Sequence, residues 1–138
     1  MKISILERDS LGIDVISTSL GYITFDDAQM VHGYEDLDGE TCIITIGAEI
    51  ASSRGVLVVA AAGNEGNKTF PYIGAPGDGK NVLTVGGVKS DGTRTGFSSI
   101  GPTYDGRIKP DVMSFAYAVT VASPGNNFYE GNGTSFAA

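Results

Sequence analysis

Two polar side chains stand in surroundings that suit acyl-transfer chemistry. Ser135 belongs to a Gly-Thr-Ser segment followed by Phe and two alanines, which predicts a loop entering a helix with Thr134 or Ser135 as its cap. A serine there lies close to backbone amides that can stabilise negative charge on a bound carbonyl. Asn64 comes directly after Gly63 and an apolar run, and its amide could be aimed at a developing oxyanion. Each signal has an ordinary alternative, because serine is a common helix cap and Asn beside Gly is typical of a turn.

The chain contains a single histidine, so histidine-based catalysis within it has one candidate. A histidine that acts as general base needs a nucleophile within hydrogen-bond reach and a carboxylate behind it. The neighbours of His32 in Met30–Tyr34 predict a surface loop without such support. We therefore interpret His32 as an exposed loop residue and not as a base.

Composition excludes several other classes of protein. With 9 Lys and Arg against 16 Asp and Glu, the net charge is −7, which argues against nucleic-acid binding because phosphate contacts need clustered basic residues. No apolar run approaches the roughly 20 residues of a membrane helix, so no membrane partner is expected. The single cysteine, Cys42, excludes an internal disulfide and a multi-cysteine metal site, and its apolar neighbours predict a core position.

Two segments resemble ligand-binding motifs but lack essential parts. Gly74–Lys80 has the glycine and lysine spacing of a phosphate loop, yet Asn81 replaces the Ser or Thr that binds magnesium, and a strand follows instead of a helix. We expect a turn there and no nucleotide site. The acidic segment 35–40 lacks the alternating oxygen ligands of an EF-hand, so a solvated loop is favoured over a weak cation site. No metal ligand is assigned.

The elements that must position these residues follow from hydrophobic patterning. Each of two helical patterns ends at a glycine, Gly12 or Gly55, in the position of a left-handed cap. A β-branched apolar stretch typical of a buried strand follows each glycine. Helix, glycine and strand, repeated twice, predict an α/β fold with parallel strands and right-handed crossovers. The predicted elements are helices at 2–11 and 41–54 and strands at 13–17, 56–60, 82–85 and 119–122, with irregular chain at 98–110.

Taken in order along the chain, these segments resemble the subtilisin-like serine proteases, or subtilases. Gly133–Ala138 is similar to the family's nucleophile motif, and Ala61–Gly66 is similar to its oxyanion-hole segment. Ser17–Gly21, with the sequence Ser-Thr-Ser-Leu-Gly, resembles the family's substrate-binding strand. The segments 97–102 and 109–112 also follow the family's order, so the resemblance covers most of the chain.

The resemblance implies a three-layer α/β/α fold with a mostly parallel sheet and assigns roles at the reaction centre. Ser135 would be the acylated nucleophile. Asn64 would donate a hydrogen bond to the oxyanion, together with the backbone amide of Ser135. These assignments make the two ambiguous signals parts of one site.

The resemblance also implies a polypeptide substrate and a cleft for it. The peptide backbone would pair with Ser19, Leu20 and Gly21, an interaction that does not depend on substrate side chains. Ala62 and Gly63 would line the opposite wall of the specificity pocket. Beside this pocket, the acidic Glu65 favours basic or polar substrate side chains.

The departures from the family pattern concern the rest of the catalytic machinery. The family's Asp and His motifs have no match, and His32 follows the substrate-binding strand instead of preceding it. Residues 1–138 are therefore interpreted as a fragment of a subtilase catalytic domain, truncated at both ends and missing the N-terminal half. We expect the intact parent to be a serine endopeptidase and the isolated chain to be inactive. The alternative is a non-catalytic peptide-binding or scaffold module derived from a subtilase.

The family further implies catalysis without a cofactor and a secreted or cell-envelope location. It allows calcium in the intact parent, although no complete calcium loop is present in this sequence.

Overall fold

A parallel β-sheet forms the centre of the molecule, for which a computed structural model describes residues 12–22 and 31–138. Its four strands lie in the order in which they occur along the chain, and each pairs in parallel with the next. The predicted α/β class and parallel pairing are confirmed, whereas the predicted helix at 2–11 lies outside the described residues. The strands are β1 (Val15–Thr18), β2 (Leu57–Ala61), β3 (Val82–Val88) and β4 (Val112–Phe115).

One α-helix, α1 (Ile43–Ser53), precedes β2 and confirms the prediction at 41–54. It ends as expected at Gly55, whose φ of +83° is a conformation that costs glycine little. The backbone N–H of Gly55 donates to Ser52 O at 2.9 Å, and the N–H of Val56 donates to Ala51 O at 3.2 Å. These two bonds are those of a Schellman motif, which turns the chain directly from the helix into the sheet.

The main core lies between α1 and the sheet. Its buried residues pack with the partly buried Ile16 and Ala48, so β1, α1, β2 and β3 share one apolar contact region. In β2, Val58 and Ala60 are buried in this core, whereas Leu57 is exposed. No residue of β1 is buried, so the prediction of a buried strand is wrong for β1. The buried residues of this core are Ala51, Val56, Val58, Ala60 and Val82.

A second, smaller core supports the loops. Leu37, Cys42 and Ala75 are buried there and pack with the aromatic rings of Tyr34, Phe70 and Tyr72 and with Ile44. The predicted core position of Cys42 is confirmed, and burial raises the pKa of its thiol to about 12. The thiol donates a hydrogen bond to Asp36 O at 3.3 Å.

A β-hairpin follows the sheet and leads to the C-terminal segment. It consists of β5 (Val119–Ser123) and β6 (Asn127–Gly131), which pair antiparallel. The sequence predicts β5 but neither β6 nor β4, and the stretch 98–110 is irregular as expected. Both missed strands are exposed, β4 along its whole length and β6 everywhere except at Gly131.

The end of the chain differs from its prediction. A 3-10 helix spans Thr134–Phe136, and Gly133, rather than Thr134 or Ser135, occupies the position before its first turn. The Thr134 side chain is fully buried and turned toward Asn64. None of the helices among the described residues is long and apolar enough to cross a membrane.

An ion pair between a buried ammonium and a partly exposed carboxylate joins β3 to the segment before β4. Lys109 is 6% exposed, and its Nζ donates to Val82 O at 2.6 Å and to Asp111 Oδ2 at 2.7 Å. The same carboxylate oxygen accepts from the backbone N–H of Thr84 at 2.7 Å. A buried ammonium tolerates this position because a carboxylate and a carbonyl both accept from it.

Lys109→Met should therefore destabilise the fold. The substitution preserves much of the side-chain volume but leaves the Asp111 carboxylate and the Val82 carbonyl without the ammonium group that donates to them. We therefore expect the free energy of unfolding to fall by about 2 kcal/mol. Urea unfolding followed by circular dichroism measures it. Lys80→Met is the matched control, because Lys80 pairs with Glu40 at the surface, and exposed pairs contribute little. Equal effects of the two substitutions would contradict the role of Lys109.

Candidate active site

Ser135 lies in the short C-terminal helix, beside the end of β1. Its side chain is exposed, and Oγ donates a long hydrogen bond of 3.5 Å to Ser19 O. In return, Ser19 Oγ donates to Ser135 O at 3.0 Å. Residues 116 positions apart in sequence are thus in contact, and the serine predicted as nucleophile lies against the segment predicted to bind substrate.

Asn64 is held in a defined orientation by Thr134. Its Oδ1 accepts from the Thr134 backbone N–H at 2.9 Å and from Thr134 Oγ1 at 3.1 Å. Thr134 Oγ1 also accepts from the backbone N–H of Gly63 at 3.1 Å. Because two donors meet Oδ1, this oxygen is the acceptor end of the amide, and Nδ2 is left as the donor end.

Gly63 makes this arrangement possible. Its φ is +105°, a conformation that side chains other than glycine rarely adopt, and a Cβ would lie 2.9 Å from Ser99 Oγ. Ser99 is itself needed, because its Oγ accepts from the backbone N–H of Glu65 at 3.1 Å. The close approach of Ser99 and the turn at Gly63 together direct Asn64 from the end of β2 toward Thr134.

Two hydrogen-bond donors next to Ser135 remain available. Neither Asn64 Nδ2 nor the backbone N–H of Ser135 donates to another residue in the described part of the chain. One is the amide of the serine itself, and the other belongs to a side chain tied to the preceding residue. Preorganised donors of this kind can stabilise the oxyanion of a tetrahedral intermediate.

A cleft of about 870 Å³ extends from these groups. Its walls come from the ends of the paired strands β1 and β2, and ligands of parallel sheets typically bind at the carboxyl ends of strands. All seven residues predicted for catalysis and substrate binding line this one cleft: Ser19, Leu20, Gly21, Ala62, Gly63, Asn64 and Ser135.

The structure adds wall residues that the sequence reasoning missed. His32 lines the cleft with a side chain only 20% exposed, so its interpretation as an exposed loop residue is wrong. Its Nδ1 lies 3.7 Å from Asp36 Oδ2, a carboxylate four residues further along the chain. Lys68 and Phe70 also line the cleft. The only feature of the sequence that indicated Lys68 and Phe70 as cleft residues is their closeness to Asn64 along the chain.

Aromatic packing supports the wall that contains Phe70. The Phe70 ring meets Tyr72 edge-on at 5.3 Å between centroids, and Tyr72 stacks on Tyr34 at 4.0 Å. The single hydroxyl proton of Tyr34 is shared between two carbonyl oxygens, Pro102 O at 3.0 Å and Thr103 O at 3.2 Å from Oη. Desolvation, followed by the neighbouring Tyr72 and Asp105, raises the pKa of Tyr34, so the phenol remains a donor.

The acidic segment 35–40 forms internal contacts. Asp38 Oδ1 accepts from the backbone N–H groups of Glu40 and Thr41, both at 2.8 Å, and Oδ2 accepts from Thr41 Oγ1 at 2.8 Å. Burial opposes ionisation of Asp38, but these hydrogen bonds outweigh it and lower the pKa of the carboxyl group. Across residues 12–22 and 31–138, no group of three or more His, Cys, Asp or Glu side chains is placed to hold a metal ion.

The phosphate-loop-like segment Gly74–Lys80 is a pair of tight turns, as predicted. The N–H of Gly77 donates to Gly74 O at 2.8 Å, and that of Gly79 donates to Pro76 O at 3.0 Å. The chain then enters β3 and not a helix.

Within this segment, Asp78 is fully buried and accepts two hydrogen bonds. Its Oδ1 accepts from Thr45 Oγ1 at 2.6 Å, and its Oδ2 accepts from the backbone N–H of Gly39 at 2.9 Å. This segment therefore supports the loop before α1 and offers no phosphate cradle.

The chain is similar to several known proteases over most of its length. It is 33% identical to subtilisin NAT from Bacillus subtilis subsp. natto over 129 residues, which are 93% of this chain and 28% of that protein. It is 36% identical to serine protease AprX from Bacillus subtilis (strain 168) over 109 residues, or 74% of this chain and 22% of that protein. The chain thus spans less than a third of the length of these relatives.

Solved structures agree with the fold. The prenylagaramide maturation protease PagA aligns with a TM-score of 0.69 and 26% identity, covering 96% of this chain and 42% of PagA. The PatG macrocyclase in complex with peptide aligns with a TM-score of 0.70 over 97% of this chain and 36% of PatG, and at 23% identity it supports the fold alone. The sequence model of the subtilase family matches residues 2–138. With nearly its whole length matched, this chain belongs to the subtilase family.

Proposed function

We propose that this chain is the part of a serine endopeptidase that carries the nucleophile, the oxyanion donors and much of the substrate cleft. Residues 1–138 would be a fragment of the catalytic domain, and the general base with its orienting carboxylate would come from sequence outside it. The hydrogen bonds between Asn64 and Thr134 carry this proposal, because they bring a side-chain amide donor beside Ser135.

The chemistry follows from the geometry of the cleft. A substrate strand pairs with Ser19, Leu20 and Gly21. The main-chain hydrogen bonds of this pairing hold the substrate backbone and do not depend on the identity of its side chains. Ser135 Oγ attacks the scissile carbonyl and gives its proton to the base, and the carbonyl oxygen becomes the oxyanion. Asn64 Nδ2 and the Ser135 N–H donate to that oxygen. The leaving amine takes the proton from the base, and water then hydrolyses the acyl-enzyme by the same steps.

His32 is not assigned as the base. It lines the wall of the cleft, and its contact with Asp36 comes from the same loop. The hydrogen bond of Ser135 Oγ is made to a backbone carbonyl and not to an imidazole. A base supplied by the remainder of the protein would approach Ser135 from its exposed side.

Removing the donor end of the Asn64 amide should impair catalysis without disturbing the site. In Asn64→Asp, an oxygen replaces Nδ2, while Oδ1 still accepts from Thr134, so the loop geometry is retained. We expect kcat of the protein that contains this segment together with its base to fall at least about 100-fold, the lower end of the range measured for such a donor in a subtilisin. Peptide hydrolysis at fixed pH, with KM determined separately, measures it.

Asn67→Asp is the control for this variant, because Asn67 is an exposed residue of the same loop and does not line the cleft. It adds the same charge, so a drop in kcat that is equal in both variants would identify a general charge effect and contradict the donor role of Asn64.

The isolated chain should react negligibly with a fluorophosphonate probe. Without a base, Ser135 keeps its proton, and loss of the catalytic histidine costs about 10⁶-fold in kcat in a subtilisin. Mass spectrometry of the labelled chain, with Ser135→Ala as the blank, measures the rate. Rapid labelling that Ser135→Ala abolishes would contradict the inactivity of the chain.

Labelling the longer protein that contains this segment with the same probe distinguishes a catalytic protein from the alternative, a non-catalytic peptide-binding module. Fast labelling of Ser135 in that protein supports the endopeptidase. Absence of labelling in that protein, with peptide binding retained, would overturn the endopeptidase and support the binding module.

A further inference from the structure

The substrate cleft contains one carboxylate and one ammonium among its described lining residues. Glu65 and Lys68 face it together, and Lys68 Nζ lies 2.7 Å from Glu65 Oε2. Their side chains are 35% and 62% exposed for Glu65 and Lys68, respectively. The other ionisable group of this lining is His32, which lies beside Asp36. The charge that a bound side chain experiences therefore depends on how completely Lys68 compensates Glu65.

The backbone sets this pair before any substrate arrives. The N–H of Lys68 donates to Glu65 O at 2.8 Å, which closes a turn and brings the two side chains to the same side. The turn is anchored to the neighbouring loop, because the N–H of Glu65 donates to Ser99 Oγ at 3.1 Å and that of Gly66 donates to Phe97 O at 2.8 Å. Pairing therefore costs little further ordering of the chain.

Apart from Glu65, Lys68 and His32, the described lining residues of the cleft have no ionisable side chain. Apolar side chains occupy a large part of the lining, with glycines and short polar residues between them. Apolar walls exclude water and strengthen the interaction between a wall charge and a bound charge. An unpaired Glu65 would attract a cationic substrate side chain, whereas a paired one leaves the cleft close to neutral. The apolar residues of the lining are Leu20, Val31, Ala61, Ala62 and Phe70.

We propose that Lys68 is a specificity-determining residue, which neutralises Glu65 and so adapts the cleft to uncharged substrate side chains. This inference rests on the proposed function of the cleft as a peptide site. It replaces the preference for basic side chains that Glu65 alone predicts. The preference for a substrate side chain therefore depends on both residues. Removing the charge of Lys68 should shift it toward cationic side chains, and removing the charge of Glu65 should shift it toward anionic ones.

Binding of labelled peptides tests the proposal without requiring catalysis, with every form of the chain, the unmodified one included, placed in the longer protein that contains this segment and carrying Ser135→Ala as a common background. The probes are fluorescein-labelled Ala-Ala-Ala-X amides, where X is Phe, Lys or Glu, and fluorescence anisotropy measures their affinities. Lys68→Met retains the aliphatic stem and removes the charge, so we expect the affinity for the Lys peptide relative to the Phe peptide to rise about fivefold. Glu65→Gln should raise the relative affinity for the Glu peptide by a similar factor.

Two controls separate charge compensation from a structural effect. The double variant Lys68→Met with Glu65→Gln should return the preference to that of the unmodified chain, because both charges are absent. Lys80→Met removes an ammonium from a surface pair outside the cleft and should leave the preference unchanged. In 1 M salt, where the screening length is about 3 Å, the shifts of both single variants should shrink.

The outcomes distinguish this inference from the proposed function. If the unmodified chain binds the peptides but Lys68→Met leaves the ratio for Lys over Phe unchanged, the role of Lys68 is overturned and the peptide cleft stands. If none of the peptides binds the unmodified chain, the peptide cleft itself is overturned, and the role of Lys68 with it.

Discussion

The site depends on one oxygen atom, Oδ1 of Asn64, which accepts hydrogen bonds from both the backbone N–H and the hydroxyl group of Thr134. This contact joins the end of β2 to the C-terminal helix across 70 residues of sequence. It orients the Asn64 amide, holds the residue before Ser135, and through Thr134 Oγ1 satisfies the N–H of Gly63. Thr134 is fully buried, and losing its hydroxyl would leave the partly buried N–H of Gly63 without its acceptor. A structural bond in the core thus sets the geometry of a surface reaction centre.

The parallel sheet positions the segments that form the site, because they follow the carboxyl ends of neighbouring strands. Parallel pairing of β1 with β2 places residues 19–21 and 61–65 at the same edge, where one strand continues into the substrate-binding segment and the other into Asn64. The pairing of β3 with β4 brings the later chain alongside, and the N–H of Gly133 donates to Ala116 O at 2.9 Å. The loop that carries Ser135 is therefore held by the sheet on one side and by Asn64 on the other.

Local patterning predicted the α-helix and the first three strands of the sheet, although no residue of β1 is buried. Helix α1, its end at Gly55 and the strands β1, β2 and β3 follow from apolar spacing and from a glycine cap, which are properties of neighbouring residues. The strands β4 and β6 were not predicted; β4 is exposed along its length and depends on pairing with the distant β3, whereas β6 is exposed except at Gly131 and pairs with the adjoining β5. The expected helix cap at Thr134 or Ser135 failed because a distant residue intervenes: the Thr134 side chain bonds to Asn64 instead of to its own helix.

The sequence by itself determined the α/β class, the order of the motifs and the identity of the residues that now face one cleft. Those features reside in residue types and in spacing along the chain, where glycines, apolar runs and short polar motifs carry their own conformational preferences. Only the tertiary structure decided the orientation of the Asn64 amide, the place of His32 in the wall and the pairing of Glu65 with Lys68. Each of these depends on distances and burial, which the order of the residues does not express.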